Sequence, residues 1–382
     1  MTWRRIDIKM SFTAPAFLGS ADKSAQLRVP PFKYLIRFWW RVAVAKRHDY
    51  EHAKIRKLEG SVFGNAWLKD EHGNVRATRS RVLIRLDHWK KGEGDNNAWN
   101  RTWFDQNKVL HPEAGKGNKG RWISPDVYLA YGPIVWDKEQ KLFRLADGVT
   151  FINPGTQFTL TLINDPLDPV TEDEFPFMKV LKLIHWFGSV GSRSANGWGS
   201  LVIEGIEVEG DLNDTGSWNL KPDNLRDMEV SREIMEILKA QTQWPHAVGM
   251  NNEEILVWQS KVYDTLEELI KILAELKISF RTQFQLSKDS KLEERHVLAY
   301  PVTHHNVLGA QARLKNQVFF KIRKVGEKFQ AIIVHLPHAF PTALSGGTST
   351  NTKDLLTPQK QKEIWEDVHK MIDSNGSFRR IR

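Results

Sequence analysis

The sequence predicts an α+β fold, and the order of its periodic segments is the main reason. A segment of alternating polarity comes first and an amphipathic segment follows; further strands, a helix and a strand then extend to residue 208. A period of two is typical of a half-buried strand, whereas a period of 3.6 indicates a helix. This order is compatible with a split βαβ, ferredoxin-like unit that carries a large insertion.

The first two elements have the clearest patterns. Apolar side chains alternate with polar ones over residues 6–12, which predicts a strand. Two prolines at 30 and 31 then open a helix over 32–46 whose apolar residues recur at helical spacing. Basic residues four apart form a stripe beside that apolar face: Lys33, Arg37 and Arg41.

Weaker patterns complete the first half of the chain. We predict a glycine turn at 60–64, strands at 79–86, 127–131, 141–145, 156–163 and 201–208, and a helix at 172–187. A polar segment at about 88–126 is too long for an ordinary connection and indicates an insertion. We therefore predict an N-terminal domain over 1–210 with this insertion, an acidic linker over 210–227, and a C-terminal domain over 228–382.

The C-terminal half has three recognisable elements. Leucine and isoleucine spacing predicts a long helix over 252–277, and a glycine at 326 separates two strands, at 318–324 and 330–336. Thr357 and Pro358 have the positions of a cap and a first-turn proline, so a last helix begins there and ends near Asn375 and Gly376.

Composition excludes several protein classes. The chain of 382 residues has no cysteine, which excludes disulfides, thiolate nucleophiles and cysteine-ligated zinc. Because it has no long apolar run and no signal-peptide core, we expect a cytoplasmic protein without membrane contact. Residues 1–85 hold 18 basic and 7 acidic residues, whereas residues 204–275 hold 6 and 16. This asymmetry favours a polyanionic partner such as nucleic acid.

A glycine-rich loop is the strongest local signal. Four glycines lie at 188, 191, 197 and 199, after a helix and before a strand. That order argues against a dinucleotide fingerprint and a P-loop, which run from strand to loop to helix. The loop suits either a phosphodiester backbone, held by N–H groups and one guanidinium, or a plain turn. Its candidate contacts are Gly191, Ser192, Arg193, Gly197, Trp198 and Gly199.

Histidine pairs offer two catalytic alternatives. His48, Glu51 and His52 match the inverted zinc-peptidase pattern, although their charged flanks favour a solvated helix. His304 and His305 are candidates for metal-independent RNA cleavage, for RNA stacking, or for an ordinary loop. Trp40 and the tryptophans of the insertion are candidate stacking platforms.

Three segments together resemble the RAMP superfamily of CRISPR effector subunits. The first comprises residues 12–22 and 27–41 (FTAPAFLGSAD and LRVPPFKYLIRFWWR). The second is GSVFG at 60–64 followed by RSRV at 79–82, and the third is GSRSANGWGS at 191–200. The first helix is most similar to the first-subunit family of the type III-B (Cmr) effector, and residues 295–302 (RHVLAYPV) resemble the second half of that family.

The resemblance implies two tandem ferredoxin-like (RRM-like) domains with a long insertion in the first. It implies a non-catalytic, RNA-binding structural subunit, without cofactor or metal, that caps the crRNA 3′-end side. Its partners would be crRNA, target RNA and other RAMP subunits. The alternatives are a RAMP endoribonuclease that uses His304 or His305, and the zinc peptidase. We expect RNA contacts at Arg28, Lys33, Arg37, Arg41, Arg79, Arg81, Gly191, Ser192, Arg193, Gly197, Trp198, Gly199, His304 and His305.

Overall fold

Two compact units make up the chain in a computed structural model. Unit 1 comprises residues 1–95, 147–230 and 321–323, and unit 2 comprises 96–146, 231–320 and 324–382. Residues 96–146, which overlap the insertion predicted over about 88–126, therefore belong to unit 2 by their contacts. The structure describes residues 3–381 except 67–72, 75–76, 96–106, 116–118, 138, 140–141, 210–219, 242–244, 288–290, 301, 303–304, 306, 308–312 and 341–356.

The described elements are mostly short strands and helices of moderate length. The strands are β1 (Arg5–Phe12), β2 (Gln26–Leu27), β3 (Val82–Leu86), β4 (Lys90–Lys91), β5 (Val109–His111), β6 (Arg121–Ile123), β7 (Ile134–Asp137), β8 (Leu142–Leu145), β9 (Gln157–Asn164), β10 (Leu201–Glu209), β11 (Ser231–Glu233), β12 (Val248–Asn251), β13 (Glu254–Ile255), β14 (Val257–Tyr263), β15 (Val318–Val325), β16 (Lys328–His335) and β17 (Phe378–Arg380). The helices are α1 (Val29–Val44), α2 (His52–Phe63), α3 (Pro125–Ala130), α4 (Phe177–Phe187), α5 (Pro222–Asp227), α6 (Ile234–Lys239), α7 (Leu266–Thr282), α8 (Glu294–Leu298) and α9 (Pro358–Ser374).

The central sheet of unit 1 has the strand order β10-β1-β9-β3, with antiparallel neighbours throughout. Helix α1 lies between β1 and β3 in the chain, α4 lies between β9 and β10, and the two helices pack against each other. Numbered along the chain, these four strands run 4-1-3-2 across the sheet. This is the ferredoxin-like arrangement, so the fold predicted for residues 1–208 is confirmed.

The alternation of apolar and polar side chains on β1 shows which face of this sheet is buried. Ile6, Ile8 and Met10 are buried, whereas Arg5 and Lys9 on the other face are exposed. Helix α1 buries its predicted apolar side and also Phe38, Trp40 and Val44. Because Trp40 is fully buried and its indole N–H donates to the carbonyl of Glu174 at 2.8 Å, it is a core residue and not an exposed stacking platform.

Unit 2 repeats the same topology. Its central sheet has the order β15-β16-β14-β17, with α7 between β14 and β15 and α9 between β16 and β17. The pairs β14–β16 and β14–β17 are antiparallel. Numbered along the chain, the strands again run 4-1-3-2, so the second ferredoxin-like fold implied by the resemblance is also present. Residues 321–323 lie in the middle of β15. By their contacts these three residues belong to unit 1, whereas the rest of the strand belongs to unit 2.

Three sequence predictions about elements are wrong. The long helix over 252–277 is replaced by strands β13 and β14 followed by α7, because a capping box at Thr265 starts the helix there. Residues 127–131 lie mainly in α3, where Pro125 occupies the first turn. The turn at 60–64 is the last part of α2, and only Gly64, with φ of 77°, leaves the helix.

Candidate nucleic-acid interface

The open face of the unit 1 sheet does not resemble a base-stacking surface. Its central side chains on β1 are Arg5, Asp7 and Lys9; Arg5 pairs with Asp7 at 2.9 Å, and Lys9 pairs with Glu207 at 2.6 Å. On β9, residues 157, 159, 161 and 163 are Gln, Thr, Thr and Ile, and the exposed residues of β3 are Leu83 and Arg85. These described positions carry no aromatic side chain, and Asp7 together with Glu207 and Glu209, the β10 residues opposite Asp7 and Arg5, balances the charges of Arg5, Lys9 and Arg85. The open face therefore does not suit the stacking mode of RRM domains.

The glycine loop (residues 188–200) lies instead against the segment that follows β1. The amide of Ser192 donates to the carbonyl of Phe17 at 2.9 Å, and the amide of Gly199 donates to the carbonyl of Pro15 at 2.8 Å. Within the loop, the amide of Val190 donates to the carbonyl of Gly199 at 2.9 Å. The loop is therefore fixed by backbone hydrogen bonds on both sides.

Two glycines of this loop are required by the fold. A Cβ at Gly191, where φ is +96°, would lie 2.6 Å from the carbonyl oxygen of Phe17. A Cβ at Gly199, where φ is +65°, would lie 1.9 Å from the carbonyl oxygen of Val190. Both distances are shorter than real Cβ contacts, and both φ values disfavour side chains. Close backbone packing thus accounts for these glycines before any ligand is considered.

Exposure divides the glycine loop into two halves. Gly191, Ser192 and Arg193 are exposed, and Arg193 has a φ of 61°. Residues 196–200 are buried, and Trp198, 1% exposed, packs edge-on against Phe17 with ring centroids 5.7 Å apart. The structure assigns Trp198 to the core, and it leaves residues 191–193 as the part of the loop that a phosphate can reach.

A buried lysine ties together the two ends of the loop. Lys321, one of the three β15 residues that group with unit 1, donates to the carbonyls of Gly188 and Leu201. Ser200 reinforces this end, since its hydroxyl donates to the carbonyl of Gly197 at 2.8 Å. Burial lowers the pKa of Lys321 well below its ordinary value. The exposed half of the loop therefore rests on a rigid base.

Arg28 joins this surface at the start of α1. One Nη of Arg28 donates to the carbonyl of Gly19 at 2.9 Å, two residues beyond Phe17. The amide of Gln26 donates to the carbonyl of Leu18 at 3.0 Å. Residues 17–19 thus contact the glycine loop on one side and the residues leading into α1 on the other, which brings Arg28 and the exposed half of the loop to one segment.

Trp89, one of the tryptophans of the predicted insertion, lies exposed beside Arg28, a neighbour that the sequence does not predict. β4 pairs with β2, the strand immediately before Arg28. The indole of Trp89 is 57% exposed, and the ammonium of Lys91 lies 6.0 Å from its ring centroid. Only the pairing of β2 with β4 brings these residues to the start of α1, and no local pattern predicts that pairing.

The basic stripe of α1 faces α2 and is partly neutralised there. Glu59 accepts hydrogen bonds from Arg37 at 2.6 Å and from Arg41 at 2.8 Å, and Lys33 donates to the carbonyl of Phe63 at 3.0 Å. Burial acts to raise the pKa of Glu59, but the hydrogen bonds and charges of Arg41 and Arg37 outweigh it, so the pKa is lowered. These contacts link α1 to α2, and binding of RNA by the stripe stays a prediction.

Arg79 and Arg81 hold the loop that follows β9. Arg81 pairs with Glu174 at 2.6 Å and donates to the carbonyls of Asp168 and Pro169. The hydrogen bond to Glu174 raises the pKa of Arg81. Arg79, which is 71% exposed, pairs with Asp165. The exposed part of Arg79 can therefore contact RNA, whereas Arg81 already contacts three residues of the protein.

The structure describes the first histidine motif in full and the second only in part. His48 ends a 3-10 helix, and the chain then turns through Asp49 and Tyr50, with φ of 54° and 56°, before α2 begins at His52. The i, i+4 histidines of the zinc-peptidase pattern therefore do not share one helix, and that alternative loses its geometric basis. His304 lies outside the described residues, and the carbonyl of His305 lies 3.2 Å from Nε2 of His296.

Within the described ranges, no group of three or more His, Asp or Glu side chains is placed to hold a metal ion. Across the same ranges, no helix is both long enough and apolar enough to cross a membrane.

Comparison with known proteins gives structural likenesses only. No family model matches the sequence, and no curated protein matches it. The chain is similar to Cmr1 from Pyrococcus furiosus in its apo form, with 13% identity, 88% of each chain covered and a TM-score of 0.44. It is also similar to a chain of a type IV-B CRISPR complex, with 14% identity, 57% of this chain and 96% of that chain covered, and a TM-score of 0.29.

Proposed function

We propose that this protein is a non-catalytic RNA-binding subunit of a type III-B CRISPR effector complex. The observation that carries the proposal is the convergence of Arg28 and the exposed loop residues 191–193 on the segment 17–19. These are the residues of the motifs that resemble RAMP subunits. A rigid loop with exposed backbone, a hydroxyl and a guanidinium suits a phosphodiester backbone.

The excess of basic residues over 1–85 supports the same proposal, because a polyanion is attracted to such a region. The polar, ion-paired face of the unit 1 sheet favours the loop over the sheet as the contact surface. In this role the protein holds crRNA and target RNA and contacts other RAMP subunits at the crRNA 3′-end side of the complex.

Salt-dependent RNA affinity tests the proposed contact surface. We expect the double variant Arg28→Ala, Arg193→Ala to bind single-stranded RNA more weakly, with the slope of log K against log salt reduced by about 1.4 units, because each phosphate contact contributes about 0.7 to that slope for single strands. Arg85→Ala, which removes an exposed arginine of the open sheet face, is the matched control and keeps the wild-type slope. Equal affinity and slope in the double variant and the wild type would overturn the assignment.

The non-catalytic part of the proposal has its own test. A phosphodiester cut needs a positioned base or a metal-bound hydroxide. We expect the purified protein to leave repeat RNA intact in EDTA and in Mg²⁺, Mn²⁺ or Zn²⁺. Cleavage that is lost in a His304→Ala, His305→Ala variant would favour the endoribonuclease instead.

A further inference from the structure

A second cluster of polar side chains forms within unit 2. His111 at the end of β5, Tyr128 on α3, Arg281 in the last turn of α7 and Arg295 on α8 come from four different elements. Each of β5, α3 and α8 contacts α7, which therefore serves as their common support. The convergence is tertiary and has no counterpart in the local sequence pattern.

The back of this cluster is rigid. Arg295 is buried, pairs with Glu113 through two hydrogen bonds, one of them 2.6 Å long, and donates its Nε–H to the carbonyl of Phe284 at 2.7 Å. The rings of His111 and Tyr128 meet edge to face with centroids 5.5 Å apart. A fixed ion pair and a packed aromatic pair thus hold His111 and Tyr128 in position.

Three polar groups of the cluster have no hydrogen-bond partner among the residues that the structure describes. Nδ1 of His111 is buried and has no hydrogen-bond partner. Within the part of the chain that the structure describes, no hydrogen bond is found for the guanidinium of half-buried Arg281 or for the hydroxyl of Tyr128. Buried polar groups are normally satisfied, and an exception calls for an explanation such as an absent ligand.

Charge identifies the kind of ligand. Glu113 and both arginines act electrostatically on His111 and Tyr128. Glu113 forms its ion pair with Arg295, and among the described residues no carboxylate pairs with Arg281. Exposed Arg121, the cross-strand partner of His111, adds a further positive charge on the same hairpin. An arginine fork with an imidazole N–H and a phenol O–H supplies several donors, which matches the many acceptor oxygens of a phosphate group.

We propose that His111, Tyr128 and Arg281 form a phosphate-binding site in unit 2. The phosphate is either a phosphodiester of RNA, in which case the site deepens the proposed function and rests on it, or a free phosphate group. In both cases Arg281 supplies the charge, and His111 and Tyr128 donate to the remaining oxygens.

Inorganic phosphate tests the site without RNA. The full chain is labelled with ¹⁵N-histidine, and the His111 signal is identified from its loss in His111→Gln. We expect phosphate to shift that signal in the wild type and in the control variant Arg85→Ala, with at least about tenfold weaker binding in Arg281→Ala, which removes the charged hydrogen bonds. Arg281→Lys keeps the charge without the fork and has intermediate affinity. No shift in the wild type, or an equal shift in Arg281→Ala, would overturn the proposal.

A series of RNAs, each with one neutral methylphosphonate linkage at a different position, distinguishes an RNA phosphodiester from free phosphate as the ligand. If RNA supplies the phosphate, the neutral linkage at one position of the strand weakens wild-type binding by the same factor as the Arg281→Ala substitution. In the Arg281→Ala variant, the linkage at that position causes no further loss of RNA affinity. If phosphate shifts His111 but Arg281→Ala binds RNA like the wild type, the site takes free phosphate and the RNA source is refuted. Failure of the wild type to bind RNA at all would contradict the proposed function and leave the phosphate result standing.

Discussion

Glu59 is the residue that determines how the basic stripe of α1 is used. The spacing of Lys33, Arg37 and Arg41 predicts a common helix face, and the structure bears out that geometry. The sequence has no signal that a carboxylate 18 residues after Arg41 will pack against that face, because the contact depends on how α2 folds back on α1. Helical periodicity therefore predicts a face but does not predict what covers it.

We expect Glu59→Gln to destabilise the protein by about 2 kcal/mol at pH 7, since it weakens charged hydrogen bonds to two arginines. The folded-state pKa of Glu59 lies below its ordinary value of 4.5. Its contribution is therefore fully present above about pH 4.5 and is lost as the pH falls through the folded-state pKa. Urea unfolding at several pH values measures the difference between variant and wild type, which should shrink below pH 4.5.

Glu207→Gln is the matched control, because Glu207 pairs with Lys9 at the surface and both side chains are more than half exposed. We expect no measurable loss of stability there. A Glu59→Gln variant as stable as this control at pH 7 would show that the Glu59 contacts do not stabilise the fold.

Gly191 is the second residue with a specific expectation. Gly191→Ala should lower the free energy of unfolding by about 1–3 kcal/mol, because the new Cβ meets the carbonyl of Phe17 at a positive φ. Gly205→Ala is the comparison, since its Cβ would meet only the flexible side chain of Lys9 at 3.9 Å. Equal unfolding curves for the two variants would mean that the loop does not require glycine at 191.

At the scale of elements, the start of α7 shows why periodicity alone misleads. Leu256, Tyr263 and Ile270 are one heptad apart, which suggests a helix from residue 252, yet Leu256 and Tyr263 belong to the β13–β14 region. The decisive signal is the capping box, in which the Thr265 hydroxyl accepts the amide of Glu268 at 3.2 Å. Elements with caps or prolines, such as α1 and α9, are predicted nearly to their ends, because these signals are local.

Thr265→Ala discriminates between the two helix boundaries. Loss of the N-cap should cost about 1 kcal/mol in thermal or urea unfolding, whereas Thr265→Ser keeps the hydroxyl and most of the stability. A helix that began at residue 252 would place Thr265 in its interior, where alanine has the higher helix propensity. A stabilised Thr265→Ala variant would therefore contradict the boundary seen in the structure.

For the whole molecule, the order of elements carries more information than any single boundary. The order strand, helix, strands, helix, strand predicts the ferredoxin-like topology of unit 1, and β3 and β9 pair across a long insertion. The same topology in unit 2 follows only from the resemblance, because its first strand is hidden in an apparent helix. Among the candidate site residues, the sequence identifies the exposed residues 191–193, but it cannot show that Trp198 is buried or that Arg81 is engaged.

The central claim is that RNA contacts unit 1 at the glycine loop and at the start of α1. Photo-crosslinking of 4-thiouridine RNA to the full chain, with peptide mapping by mass spectrometry, tests it most directly. We predict crosslinks in peptides that contain residues 17–28 and 188–200, and no crosslinks in peptides from β1 and β9. Crosslinks confined to β1 and β9, the strands of the open sheet face, would contradict the claim and assign binding to the sheet.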